Sequence, residues 1–134
     1  MAVIRSRAAL SLQHESLSAA RVSEVLGVEP SESFEIGDPF ARGTRVREHS
    51  HWALDSPSDG DVEAQLRALL NRLEPLHLAL RDLHDEGYRL TWTCYVEEHD
   101  GDGAISLSAA LINDLGTFPA DLWIESFTDE PPES

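Results

Sequence analysis

The chain has 134 residues, with 25 acidic side chains against 10 basic ones and a formal net charge of -15 at neutral pH. At 41% hydrophobic and 26% charged, it has the composition of an ordinary globular domain, able to bury roughly two-thirds of its unfolded surface without a metal or a disulfide. The charge excludes a general binder of nucleic acid or of anionic membrane, because no positive field exists to gather phosphates.

Cys94 is the single cysteine, so no internal disulfide can form and a reducing, cytoplasmic compartment is expected. All ten basic residues are arginine. GC-rich coding would account for that bias; the functional alternative is a need for planar, bidentate donors. No stretch has the length of a membrane span, and the apolar run at 8–12 is too short for the core of a signal peptide. Residues 128–134 are acidic and carry Pro131 and Pro132, which predicts a disordered tail.

Residues 3–13 alternate as a strand, with Ile4, Ala8, Leu10 and Leu12 on one face and Arg5, Arg7, Ala9 and Ser11 on the other. Ser18 then caps a helix through Ala19, Val22, Val25 and Leu26, and Gly27 stops it. Residues 30–43, rich in Ser, Gly, Pro and charge, predict a long surface loop. Residues 44–54 are extended, as one bent strand or two short ones. A leucine stripe from Val62 through Leu66, Leu69, Leu73, Leu76 and Leu80 to Leu83 predicts a long amphipathic helix. Pro75 must kink it or divide it into two abutting helices. The stripe suits cover for a sheet better than a coiled-coil seam.

Residues 88–98 form the clearest strand, with Leu90, Trp92, Cys94 and Val96 on one face and Arg89, Thr91, Thr93, Tyr95 and Glu97 on the other. Ser108 caps a further helix ending at Gly116, and residues 121–127 make a last strand. Leu107-Ser108-Ala109-Ala110 faintly repeats Leu17-Ser18-Ala19-Ala20. The whole predicts one α+β domain over residues 1–127. It is a single mixed, mostly antiparallel sheet with helices on one face, in the order βαββαβαβ and related to the ferredoxin-like split βαβ plan.

Several segments in this order carry a resemblance. Val22-Ser23-Glu24-Val25-Leu26-Gly27-Val28-Glu29-Pro30, Gly37, His51-Trp52-Ala53-Leu54-Asp55-Ser56 and Leu69-Leu70-Asn71-Arg72-Leu73 together resemble a family of uncharacterised bacterial proteins, domain of unknown function 4279. The resemblance spans residues 7–127. It implies a fold and brings no activity and no catalytic residue with it.

The chemistry-bearing residues are few. His49 and His51 share a face if their segment is a strand, with Asp55 nearby and His99, Asp100 or Asp102 as a third metal ligand, but the spacing matches no zinc pattern. Residues 97–103 have the oxygen density of a calcium loop without its ligand alternation or closing glutamate. Ser18 and Ser108 are needed as caps, and Cys94 belongs to an apolar face. Neither a nucleophile elbow nor a phosphate loop is present. No enzyme activity, no cofactor and no metal are therefore expected.

Two constellations remain. Arg42, Arg45, Arg47, His49 and His51 form a basic island in an acidic chain. If residues 44–52 are a strand, Arg45, Arg47, His49 and His51 point to one side, with Trp52 adjacent. The plain alternative pairs them with the protein's own carboxylates. The second constellation is the sheet face away from the helices, carrying Arg5, Arg7, Ser11, Arg89, Thr91, Thr93 and Tyr95, a composition that favours a contact surface over plain exposure. The expected function is a non-enzymatic, acidic protein-interaction module, immunity-like or regulatory. Its partner would be an unknown protein or a second copy seated on the open sheet face, with no nucleic acid and no membrane. The alternative is a small-molecule or anion sensor built on the Arg45, Arg47, His49 and His51 island with Trp52.

Overall fold

The computed structural model describes residues 3–98 and 105–128. At its centre lies β1 (Val3–His14), whose alternation of apolar and small or polar side chains suits a strand covered on one face only. It pairs antiparallel with β5 (Ser50–Asp55) on one side and with β6 (Arg89–Glu98) on the other. Outside β5 lies the short β2 (Glu32–Phe34), and outside β6 lies β7 (Ala120–Thr128), giving the order β2-β5-β1-β6-β7. All neighbours are antiparallel except β6 and β7, and a parallel pair needs a crossover. The helix α4 (Ala109–Leu115) lies on that connection.

The helices terminate where their caps demand. Ser18 accepts from the Arg21 amide to open α1 (Ala19–Leu26), and Gly27 closes it at a left-handed φ of 69°. The Glu35 carboxylate adds a second cap, accepting from the Ala19 and Ala20 amides at 2.7 and 2.9 Å. Asp61 caps α2 (Val62–Leu73). Pro75 then acts as the sequence requires: one 3-10 turn (Glu74–Leu76) separates α2 from α3 (His77–Asp85). The repeat noted around Ser18 and Ser108 holds for the caps, since Ser108 accepts from the Leu111 amide. It fails at the stops, since Gly116 stays right-handed.

Leu66, Leu69, Leu73, Leu80 and Leu83 are buried against Leu10, Leu12, Trp52, Leu54, Leu90, Trp92 and Cys94 on a single sheet face. Gln65 is the polar exception. Beyond the last β1–β5 pair, Ala9 with Asp55, the Ala8 carbonyl still accepts from the Ser56 amide at 2.9 Å, but the Ala8 N–H has no strand acceptor. It donates instead to Gln65 Oε1 at 2.7 Å, while Gln65 Nε2 donates to the Ser6 and Gly60 carbonyls at 2.8 and 2.7 Å. The carboxamide thus completes the sheet ladder and fastens α2 to it.

The region 30–43 corrects the expected loop. It contributes β2 to the main sheet and β3 (Pro39–Phe40), which forms a small hairpin with β4 (Arg45–Val46). Ala41, Arg42 and Gly43 all take positive φ in its turn. Of the tail expected over 128–134, Thr128 instead ends β7 and residues 129–134 lie outside the described residues, as do the acidic loop residues 99–103.

Candidate functional site on the open sheet face

Strand register fixes which side chains share the face opposite the helices. Four rows cross it. Phe34, His51, Gln13 and Arg89 form the first, and Glu32, Ala53, Ser11, Thr91 and Asp121 the second. The third is Asp55, Ala9, Thr93 and Trp123; the fourth is Arg7, Tyr95 and Glu125. The expected residues Arg7, Arg89, Thr91, Thr93 and Tyr95 are therefore brought onto one surface. Arg5 pairs with Glu97 in the ladder, and its side chain lies outside the described residues.

The floor of this face is small and shielded. Ala9, Ser11 and Ala53 are 4%, 5% and 5% exposed, yet Ala9 and Ala53 are separate from the hydrophobic core under the helices. Larger neighbours rise around them. Two side-chain hydroxyls satisfy backbone carbonyls across the strands, Thr93 Oγ1 donating to Ala9 at 3.3 Å and Ser11 Oγ to Thr91 at 3.4 Å. At one end, Arg7 pairs with Asp55 at 3.1 Å beside a cleft of about 650 Å³ that Glu32, Tyr95 and Glu97 also line. At the other end, a cleft of about 500 Å³ lies between Gln13, His14, His49 and Arg89. His14 is tied up in the fold: Nδ1 accepts from the Ser16 and Leu17 amides, which leaves the proton on Nε2, donated to the Glu86 carbonyl at 2.9 Å.

The basic island does gather, although not by strand alternation. Of the two expected forms, one bent strand or two short ones, the segment takes the second, β4 and the start of β5 with Arg47, Glu48 and His49 between them, so the alignment of Arg45, Arg47, His49 and His51 along one strand does not form. Two phenylalanines organise it. The Arg47 guanidinium carbon lies 4.0 Å from the Phe34 ring centre and 4.1 Å from that of Phe40, a cation held between two π faces. Arg45 lies 5.8 Å from the Phe40 ring centre, His51 stacks on Phe34 at 5.0 Å and His49 meets its edge at 5.6 Å. Among the described residues, no carboxylate forms an ion pair with Arg45 or Arg47. Burial lowers the His51 pKa and keeps the ring neutral, with Nδ1 accepting from Gln13 at 3.3 Å.

Trp52 leaves the site. It lies on the helix side, fully buried, with Nε1 donating to Ser23 Oγ at 3.0 Å. Even spacing from Leu54 and pairing with Leu12 place it there, a pattern already present in the strand alternation. Cys94 is likewise core, and burial pushes its thiol up to about 11, which suppresses the nucleophilic thiolate at neutral pH. Among the described residues, no group of three or more His, Cys, Asp or Glu side chains is arranged to hold a metal ion. The proposed third ligands His99, Asp100 and Asp102 lie outside them.

Residues that matter and escaped sequence analysis are Phe34, Phe40 and Trp123. The first two were hidden in an apparent loop. Trp123 is 59% exposed on an edge strand, with Leu122 and Ile124 exposed on its other side. A signal was available: Leu-Trp-Ile is continuously apolar where an edge strand should alternate.

A family model described as a domain of unknown function (DUF4279) matches residues 4–127. The chain belongs to this family. No curated protein and no solved structure matches the chain. No helix among the described residues is long and apolar enough to cross a membrane.

Proposed function

We propose that this DUF4279 domain is a non-enzymatic, acidic protein-interaction module, of an immunity-like or regulatory kind, working in the bacterial cytoplasm. The observation that carries this reading is the uncovered sheet face. Its small floor at Ala9, Ser11 and Ala53 is bordered by Arg7, Arg89, Tyr95, Phe34 and Trp123, the arginine and aromatic types that dominate contact surfaces. The net charge of -15 favours a basic protein and speeds its capture. It also disfavours nucleic acid and anionic membrane. Co-purification from the native host, at low and then moderate salt, is the test. A stoichiometric protein partner that weakens as salt rises is expected; a protein recovered alone under both conditions contradicts the reading.

The Arg47 sandwich favours one second reading, an anion or small-molecule sensor. The rings meet the guanidinium carbon at 4.0 and 4.1 Å, and the planar N–H fork suits a carboxylate or phosphate. Thermal shifts with phosphates, nucleotides and carboxylates decide it: a concentration-dependent rise, lost in Arg45→Ala, Arg47→Ala, supports the sensor.

A further inference from the structure

The two edges of the sheet are unlike. On one side, β2 is only three residues long and leads toward the β3–β4 hairpin, a short edge of the sort that discourages further pairing. On the other, β7 runs for nine residues in unbroken register with β6, without proline, and ends the sheet among the described residues. A strand in that position presents a row of outward N–H and C=O groups. Its side chains are unusual for a guarded edge. Leu122, Trp123 and Ile124 are all exposed. Register sets Asp121, Trp123 and Glu125 on the open face and Leu122 and Ile124 on the other.

We propose that β7 is a docking edge for an extended, basic segment of another protein, which joins the sheet as a sixth strand beside it. This rests on the protein-interaction reading and gives it an address. Charge selects the occupant. Asp121 and Glu125 flank Trp123 on one face and make no ion pair among the described residues. A strand with arginine or lysine on that face meets both carboxylates and the tryptophan ring. Its alternate apolar side chains lie beside Leu122 and Ile124. Backbone pairing supplies affinity while the alternation supplies choice. A second copy fits poorly. Two-fold pairing of β7 with itself about Trp123 sets Asp121 opposite Glu125 twice. One step either way sets a carboxylate against the other copy's Trp123, and both copies carry the same large negative charge.

Trp123 is the exposed tryptophan, Trp52 and Trp92 being buried, so its fluorescence reports on this edge. The probe is a synthetic peptide alternating arginine and valine, added to the full chain. A saturable blue shift is expected, weakened about tenfold or more in Asp121→Lys, Glu125→Lys. The shift should be lost with the same peptide N-methylated at alternate residues, which keeps its charge and removes its pairing edge. The absence of any saturable shift, or equal binding of the N-methylated peptide, overturns the assignment. Dimerisation of the wild-type chain through β7, by sedimentation, overturns it in favour of a second copy. If the partner captured from the host is held equally by the charge-reversed variant, the interaction module stands and this edge falls.

Discussion

Cys94 and His51 carry the clearest pH signatures. In the unfolded chain the Cys94 thiol titrates near its ordinary value of 9, whereas burial in the fold raises it to about 11. Between those values the unfolded chain releases a proton that the folded chain keeps, so stability falls as pH rises through the window. The loss reaches about 2–3 kcal/mol by its upper end. Burial raises Tyr88 as well, in the same direction. Chemical denaturation at stepped alkaline pH should show this decline, and a Cys94→Ala variant should flatten it while losing some stability at neutral pH. His51 acts on the acid side. Its folded pKa lies below the ordinary 6.5, so the stability of its neutral, stacked form is present above that value and is lost as pH falls through it toward the folded pKa. His51→Phe keeps a ring against Phe34 and should abolish this acid limb. An unchanged acid limb in that variant would show that His51 is not its source.

The elements with strong local signals were readable before the fold was known. Alternation placed β1 and β6, a leucine stripe placed α2 and α3 with Pro75 dividing them, and serine caps placed the starts of α1 and α4. The region 30–43 was not readable, because β2 is three residues long and gains its status from pairing with β5 rather than from its own pattern. Hence Phe34 and Phe40 escaped notice, and with them the scaffold on which Arg47 is stacked. Gln65 was invisible for a related reason. It stands within an apolar stripe, and its role appears only where β5 ends one residue short of the Ala8 amide. Gln65→Leu is isosteric enough to pack but leaves the Ala8 N–H and the Ser6 and Gly60 carbonyls without this partner. It should cost about 3 kcal/mol or more, read as a lower denaturation midpoint. A cost below about 0.5 kcal/mol would mean that the ladder tolerates the gap.

Across the molecule, one sheet separates two regimes. The helix side is a dry core of leucine, tryptophan and Cys94. The far side holds a thin floor of small residues within a border of arginine, aromatic and acidic groups. Its middle strands were legible from alternation alone, through Arg7, Arg89, Thr91, Thr93 and Tyr95. The border was not, because Phe34, Asp121, Trp123 and Glu125 reach it from strands whose neighbours no local pattern specifies. Thr93 stands near the centre, between Ala9 and Trp123 in its row. Thr93→Glu places a carboxylate there while changing the stability of the isolated domain by no more than about 1 kcal/mol. In a contact surface it would bury an unpaired charge beneath the partner. The decisive measurement is therefore quantitative co-purification of the native partner on wild-type and Thr93→Glu protein of matched thermal stability. The open-face account predicts that the partner is held by the wild type and lost from the variant; equal retention by the two would contradict it.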